Sequence, residues 1–229
     1  MLSKRHPNAK KKTHHRLKVA GKNVGSTPGE KTPVGLRIIG GGLRGSKLQY
    51  SGDNRVRPMK DRTREAVFNL ISVASKGKHV IDLFAGTGAL AIEAISRGAV
   101  SATLVEKHLG TMKNLRQNID SLQLTDSCRL VQADAFYLAK HPDEFSAAAS
   151  FSWLVFCSPP YDFFVIKQKE MLEMLQLMYQ NAPVDSVFVV ESDRRFCFEQ
   201  LQLPEECDLR RRTYPPAEIG VYKKAHENF

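Results

Sequence analysis

Three acids, a pair of glycines and a Ser-Pro-Pro-Tyr run are the chemically suggestive groups of this chain. Gly86-Thr87-Gly88 lies inside "VIDLFAGTGALAIEA" (Val80–Ala94), which reads as strand, turn and helix. Glycines there let backbone approach a ligand closely, and the helix start behind them offers free N–H groups. Gly86, Gly88 and Ala91 satisfy G-x-G-x-x-G/A, and Glu106 follows Gly86 by 20 residues, where a carboxylate can take both hydroxyls of a ribose. By itself this pattern also fits an NAD-dependent dehydrogenase.

Two further acids narrow the chemistry. Asp82 precedes the first glycine by four residues, at a strand end. A carboxylate facing the ligand from there repels a pyrophosphate but suits a ligand carrying an ammonium and a sulfonium, such as S-adenosylmethionine. Asp134, in "QADAF" (Gln132–Phe136), falls just past the third strand and could accept from an adenine amino group. Its alternative role is to cap a helix.

"VFCSPPYDFF" (Val155–Phe164) ends another strand at Ser158. Ser158 and Pro159 both precede proline and are pushed to extended conformations, while Pro159 and Pro160 have fixed φ and no N–H. The stretch is a stiff bracket rich in acceptors. An exocyclic amine on a base is a poor nucleophile because its lone pair is delocalised into the ring. Acceptors that hold its hydrogens out of plane favour the transition state over the ground state. Tyr161 can stack on the base, a contact worth about 1–3 kcal/mol.

Strand and helix patterns alternate along the chain that carries these groups. Strand-like runs at 79–84, 102–106, 129–132, 153–157 and 186–191 are separated by helical patterns at 89–97, 109–122, 135–140 and 165–180. That is an α/β fold with a doubly wound, mostly parallel sheet. Candidate strands at 209–213 and 219–223, joined by Pro-Pro, would give it an antiparallel C-terminal edge hairpin. Upstream, "GLRIIGGGLRGSKLQY" (Gly35–Tyr50) reads as two short strands around a glycine-rich turn. "RPMKDRTREAVFNLI" (Arg57–Ile71) reads as a helix entry, with Asp61 available for capping. The expected organisation is a disordered basic tail over 1–33, a β-hairpin extension over 34–56 and a catalytic domain over 57–229.

Charge is unevenly spread over the 229 residues. Residues 1–33 hold nine Lys/Arg against one acid, residues 34–64 eight against two, and residues 65–229 17 against 21. A basic front on a mildly acidic body suggests a polyanionic partner approached from one side; for the tail alone, solubilisation is an equal alternative. Arg37, Arg44, Lys47, Arg57, Lys60, Arg62 and Arg64 are candidate phosphate contacts on a folded RNA, although Arg62 and Arg64 could instead pair with acids of the body. No run approaches the roughly 18 apolar residues of a membrane span, and the N-terminus has no apolar signal region. Cys128, Cys157, Cys197 and Cys207 show no C-x-x-C spacing and are expected to be buried free thiols in a cytoplasmic protein; no metal site is expected. No oligomer signal is visible, so a monomer is the default.

The motifs "RIIGGGLRGSKL", "RPMKDRTREAVFNLI", "DLFAGTGALAIEAISRGA", "VEK", "QADAF", "PPY", "VES" (Val190–Ser192) and "RTYPPAEIGVYKK" run in order from about residue 35 to 224. In them the chain resembles the bacterial 16S rRNA (guanine(966)-N(2))-methyltransferase family. The resemblance implies a Rossmann-like class I methyltransferase that uses S-adenosylmethionine and acts on 16S rRNA or a small-subunit assembly intermediate. It also implies that the N-terminal hairpin helps to hold the RNA. By position, Asp82, Gly86 and Gly88 would line the cofactor, Glu106 would take its ribose and Asp134 its adenine end. Phe84, Thr87, Lys107 and Ala135, in the same segments, belong to this cofactor set. Ser158, Pro159, Pro160 and Tyr161 fall on the catalytic motif.

The chain departs from that family at two positions. Ser158 stands where the family normally has Asp, and Leu43 where it usually has Trp. A charged hydrogen bond is worth about 1.5–3 kcal/mol and a neutral one about 0.5–1.5 kcal/mol. The serine is thus expected to cost about 1–2 kcal/mol in the transition state, roughly tenfold in rate, with Asp162 a partial substitute. The alternatives are a non-catalytic RNA-binding module that keeps the fold, and an amino-group methyltransferase for another base, such as adenine N6 in DNA.

Overall fold

The computed structural model describes residues 35–52, 58–204 and 207–224; the expected tail over 1–33 and Arg57 lie outside them. The strands are β1 (His79–Asp82), β2 (Ser101–Val105), β3 (Cys128–Val131), β4 (Trp153–Cys157), β5 (Val187–Asp193), β6 (Arg210–Tyr214) and β7 (Ala217–Lys223). They form one sheet in the order β3-β2-β1-β4-β5-β7-β6. Strands β1 to β5 are mutually parallel where they pair, and β7 runs antiparallel to both β5 and β6. The doubly wound, mostly parallel sheet with an antiparallel edge is therefore present.

Burial explains why the parallel strands are apolar on both faces. Val80 of β1 and Leu154 and Phe156 of β4 join one core with helices α1 (Asp61–Ile71), α2 (Ala89–Ser96) and α3 (Leu109–Ser121). Ile81, Val155 and Cys157, the alternate residues, join a second core with α4 (Ala135–Ala139), α5 (Phe163–Ile166) and α6 (Gln168–Asn181). The single helix expected over 165–180 is broken at Lys167, whose backbone leaves helical geometry between α5 and α6.

Among the described residues the expected N-terminal hairpin holds an antiparallel bridge, Arg37 to Lys47, with Leu48 N–H donating to the Leu36 carbonyl, Ile38 N–H to the Ser46 carbonyl and Gly45 N–H to the Ile38 carbonyl. Other donors of its turn face α2. Ile39 and Gly40 give their N–H groups to the Glu93 carboxylate at 2.7 Å each, and Leu43 gives its own to Ser96 Oγ at 2.9 Å. Leu36, Ile38 and Leu48 are buried in the first core, each worth about 1.5–3 kcal/mol of apolar burial. Gly41, at φ +77°, comes so close to the end of α2 that an added Cβ would lie 1.9 Å from the Ser96 carbonyl oxygen. The hairpin is thus docked on α2 and belongs to the same compact unit as the sheet.

Candidate active site

Strand order decides which loops meet. Because β1 sits between β2 and β4, the segments leaving β3, β2, β1 and β4 lie side by side along the carboxyl edge of the sheet. This is the crevice position expected for ligands in such folds. A cavity of about 490 Å³ opens there, lined by residues from all four segments, by the start of α1 and by the β6–β7 turn.

The β1 segment supplies Phe84, Gly86 and Thr87 to the cavity wall. Gly86 N–H donates to Glu106 Oε2 at 3.1 Å, and His108 N–H donates to Oε1 at 2.7 Å, so Glu106 is held between the glycine loop and the β2 segment. Each carboxylate oxygen keeps a further lone pair for a ligand. Asp134 does two things at once. Its Oδ1 accepts from Phe136 N–H at 3.0 Å, capping α4, and its Oδ2 takes Lys107 Nζ at 2.8 Å. Partial burial pushes the Asp134 carboxyl up, but the Lys107 ammonium and the capping N–H outweigh it and hold the group below its usual range. Ala135 lines the wall beside it. Phe84, Phe136 and Phe163 form an aromatic trio with ring centroids 6.0–6.2 Å apart, and Lys167 Nζ lies 4.9 Å from the Phe163 centroid and 5.0 Å from that of Phe136.

Two residues expected on the ligand surface lie beneath it. Gly88 does not reach the wall; at φ +79° it starts α2, and a Cβ there would lie 2.5 Å from Leu115 Cδ1. Its glycine is required by helix packing. Asp82 is only 1% exposed, and among the described residues its Oδ1 has no hydrogen-bond partner. Burial raises its pKa to about 7, against the pull of the Phe84 and Ala91 N–H groups, with the nearby Glu106 carboxylate adding to the rise. Ala91 lies in the first turn of α2, so a helix start faces this carboxyl.

Ser158 to Tyr161 line the cavity at the end of β4, with Pro159 buried and Pro160 exposed. The β4–β5 register pairs Cys157 with Val190, which brings Ser158 beside Glu191. Ser158 Oγ donates to Glu191 Oε2, and Tyr161 OH donates to Glu191 Oε1 at 2.7 Å. Glu191 is 7% exposed and lines the same cavity. Asp162, the expected substitute, is turned to solvent and pairs with Arg195 at 2.9 Å. The carboxylate that reaches the serine therefore comes from the neighbouring strand.

The basic candidates divide. Arg37, Arg44, Lys47, Lys60 and Arg62 are exposed, and Lys60 lines the cavity. Arg64 is fully buried, which corrects its assignment to an RNA-facing surface. Its guanidinium donates to the Met59 and Arg37 carbonyls and to Asp61 Oδ1 at 3.1 Å, and its Nε lies 3.8 Å from Glu93 Oε2. Burial lowers its pKa while the Asp61 and Glu93 carboxylates oppose the shift. Asp61 makes no side-chain cap for α1, because its oxygens face Arg37 and Arg64 instead. Cys128 and Cys157 are buried free thiols as expected, but Cys207 is only half-buried and Cys197 is exposed.

Comparison with known proteins decides the family. The family model described as Conserved hypothetical protein 95 matches residues 36–222. YlbH of Bacillus subtilis is 31% identical over 82% of this chain and 99% of its own length. Ribosomal RNA small subunit methyltransferase D of Escherichia coli is 35% identical over 55% of this chain and 60% of its own length. The chain belongs to this rRNA methyltransferase family. The solved structure of yhhF from Escherichia coli superposes with a TM-score of 0.65 at 28% identity, covering 84% of this chain and 99% of that one. An RNA methyltransferase from Salinibacter ruber, solved with S-adenosyl-L-homocysteine, shares the fold with a TM-score of 0.55 at 15% identity, covering 76% of this chain and 97% of its own.

Within this rRNA methyltransferase fold, one cavity brings together Glu106, Lys107, Asp134 and the Ser158–Tyr161 bracket. Reading the sequence missed Glu191, Phe163, Lys167 and the Tyr214–Ala217 turn as parts of its wall. Only the "VES" match pointed at Glu191, and nothing in that tripeptide names its partners. They follow from strand register.

Proposed function

We propose that this protein transfers the methyl group of S-adenosylmethionine to the exocyclic N2 of a single guanine in 16S rRNA, in the small subunit or an assembly intermediate. The observation that carries this is the order of polar groups along one sheet edge: Asp134, Glu106, the glycine loop over Asp82, then Ser158-Pro159-Pro160-Tyr161. That order suits an adenine, a ribose, an amino-acid moiety and the acceptor amine in turn. The orphaned, buried Asp82 Oδ1 fits a cationic group nearby, and the Phe84, Phe136 and Phe163 rings fit an adenine face. Bound there, S-adenosylmethionine supplies an electrophilic methyl group.

The chain's own residues do the rest. Glu106 holds the ribose hydroxyls, and Asp134 accepts from the adenine amino group while Lys107 steadies it. Tyr161 stacks on a guanine that has left its helix stack. The Pro159 carbonyl and Ser158 Oγ accept from the two N2 hydrogens and turn the amine lone pair toward the methyl group. The exposed Arg37, Arg44, Lys47, Lys60 and Arg62 contact RNA phosphates. The work belongs in the cytoplasm with the assembling ribosome, and a monomer suffices for it.

The test is methyl transfer from labelled S-adenosylmethionine to small subunits, and separately to naked 16S rRNA, both prepared without the modification. Nucleoside analysis should yield N2-methylguanine at one site. Label in N6-methyladenine of DNA, or S-adenosylmethionine binding with no transfer to any of these substrates, would overturn the proposal.

A further inference from the structure

Deepening the proposed amino-group methylation, and resting on it, we infer that Glu191 supplies the negative charge of the acceptor site that Ser158 lacks, with the serine as its relay. Glu191 comes from β5, one strand away from the bracket, and no role was expected of it.

The geometry is specific. Glu191 is 7% exposed, and among the described residues no cation pairs with it; it is held by two hydroxyls, those of Ser158 and Tyr161. A buried carboxylate without a cation polarises the donors that satisfy it. Ser158 spends its single O–H on Glu191 Oε2, so its Oγ faces the cavity as a pure acceptor, carrying part of the carboxylate's charge. Tyr161 is anchored by the same carboxylate at 2.7 Å, which fixes its ring orientation. One buried acid thus sets both the acceptor and the stacking surface. Asp162 does neither, being committed to Arg195.

The relay also gives the surplus proton a path. Methyl transfer forms the N2–carbon bond from the N2 lone pair as the carbon–sulfur bond breaks, with that electron pair remaining on sulfur. N2 is then positively charged and holds one proton too many. That proton passes to Ser158 Oγ as the serine's own hydroxyl proton moves to Glu191 Oε2, and the resulting carboxylic acid later loses it to water. Glu191 acts through the serine, so its role is positioning and proton acceptance.

A double-mutant cycle on the full chain decides this, with kcat and KM measured on unmodified small subunits for wild type, Glu191→Gln, Ser158→Asp and the double variant. Glu191→Gln should lower kcat about a hundredfold in the wild-type background, the scale of proton-transfer catalysis. Because Ser158→Asp brings its own carboxylate, the same change should cost less than about fivefold there. KM, affinity for S-adenosylhomocysteine and the thermal unfolding midpoint should stay within about twofold or 2–4 °C of their parents. An equal loss in both backgrounds would make Glu191 merely structural and sink the inference. An inactive wild type beside an active Ser158→Asp would overturn the proposed function for this chain, and the relay with it. Absence of N2-methylguanine with all four proteins would remove the proposed function itself, and the relay with it.

Discussion

Arg64 and Glu93 face each other in a fully buried contact between α1 and α2, with Arg64 Nε 3.8 Å from Glu93 Oε2. Glu93 also accepts from Ile39 N–H, Gly40 N–H and Arg97 Nε, so one carboxylate joins the basic hairpin to two helices. Replacing it with alanine leaves the buried guanidinium with Asp61 as its remaining carboxylate partner and frees two backbone donors. Glu93→Ala should lose about 3–5 kcal/mol in urea unfolding, the usual cost of breaking a buried pair. Limited proteolysis should then cut within residues 35–50 first. A loss below about 1 kcal/mol would mean the hairpin is held by its apolar residues alone.

Asp82 gives a pH prediction with a definite sign. Its folded pKa, about 7, lies above the ordinary 3.8, so as pH rises the unfolded chain ionises first. The penalty this places on the fold grows from about pH 4 and is complete above about pH 7. Relative to wild type, Asp82→Asn should therefore gain stability as pH rises from 4 to 8. Melting curves across that range check it, and a constant gap would show that Asp82 is ionised throughout. The cationic cofactor should draw the carboxyl to its charged form, so calorimetry at pH 6 in buffers of different ionisation heat should show proton release in wild type and less in Asp82→Asn.

Asn118 connects the glycine loop to the hairpin. Its Nδ2 donates to the Thr87 carbonyl at 2.9 Å and the Gln49 carbonyl at 3.1 Å, while its Oδ1 accepts from Gln49 N–H at 2.6 Å. Asn118→Leu should cost about 2–4 kcal/mol, since buried backbone groups on both sides lose their partner. It should also weaken S-adenosylhomocysteine binding several-fold, by loosening Thr87. Unfolding and binding measured on the same preparation separate the two effects.

The exposed cations of the hairpin should act through phosphates. Arg44→Ala and Lys47→Ala should each weaken binding to unmodified small subunits and lower the magnitude of the slope of log K against log salt by about 0.7–0.9. Unchanged slopes would leave them off the RNA.

Local chemistry was legible where a residue's role depends on its chain neighbours. The glycine turn, the acids at strand ends and the Ser-Pro-Pro-Tyr bracket each follow from backbone rules within a few residues. The strand–helix alternation follows from apolar periodicity, and strand β4 appears with the bounds expected of it. Roles that depend on a partner far along the chain were legible at most as alternatives, as the pairing of Arg64 with acids of the body was. Arg64 lies among exposed basic residues in the sequence, yet acids at positions 61 and 93 and a carbonyl at position 37 enclose it. Nor does the chain around residues 39–43 announce that Ile39, Gly40 and Leu43 give their N–H groups to Glu93 and Ser96 of α2.

Apolar periodicity and turn stereochemistry sufficed for the fold class and for the sheet edge that gathers the candidate residues, while the acids beside those turns narrowed the ligand from a dinucleotide to a cationic one. Packing settles the rest: Asp82 and Gly88 lie beneath the cavity wall, Arg64 is a buried tie, and Glu191 reaches Ser158. Those outcomes depend on strand order, register and burial, which bring Arg64 to Arg37 across 27 residues and Ser158 to Glu191 across 33, and set the dielectric around each charge.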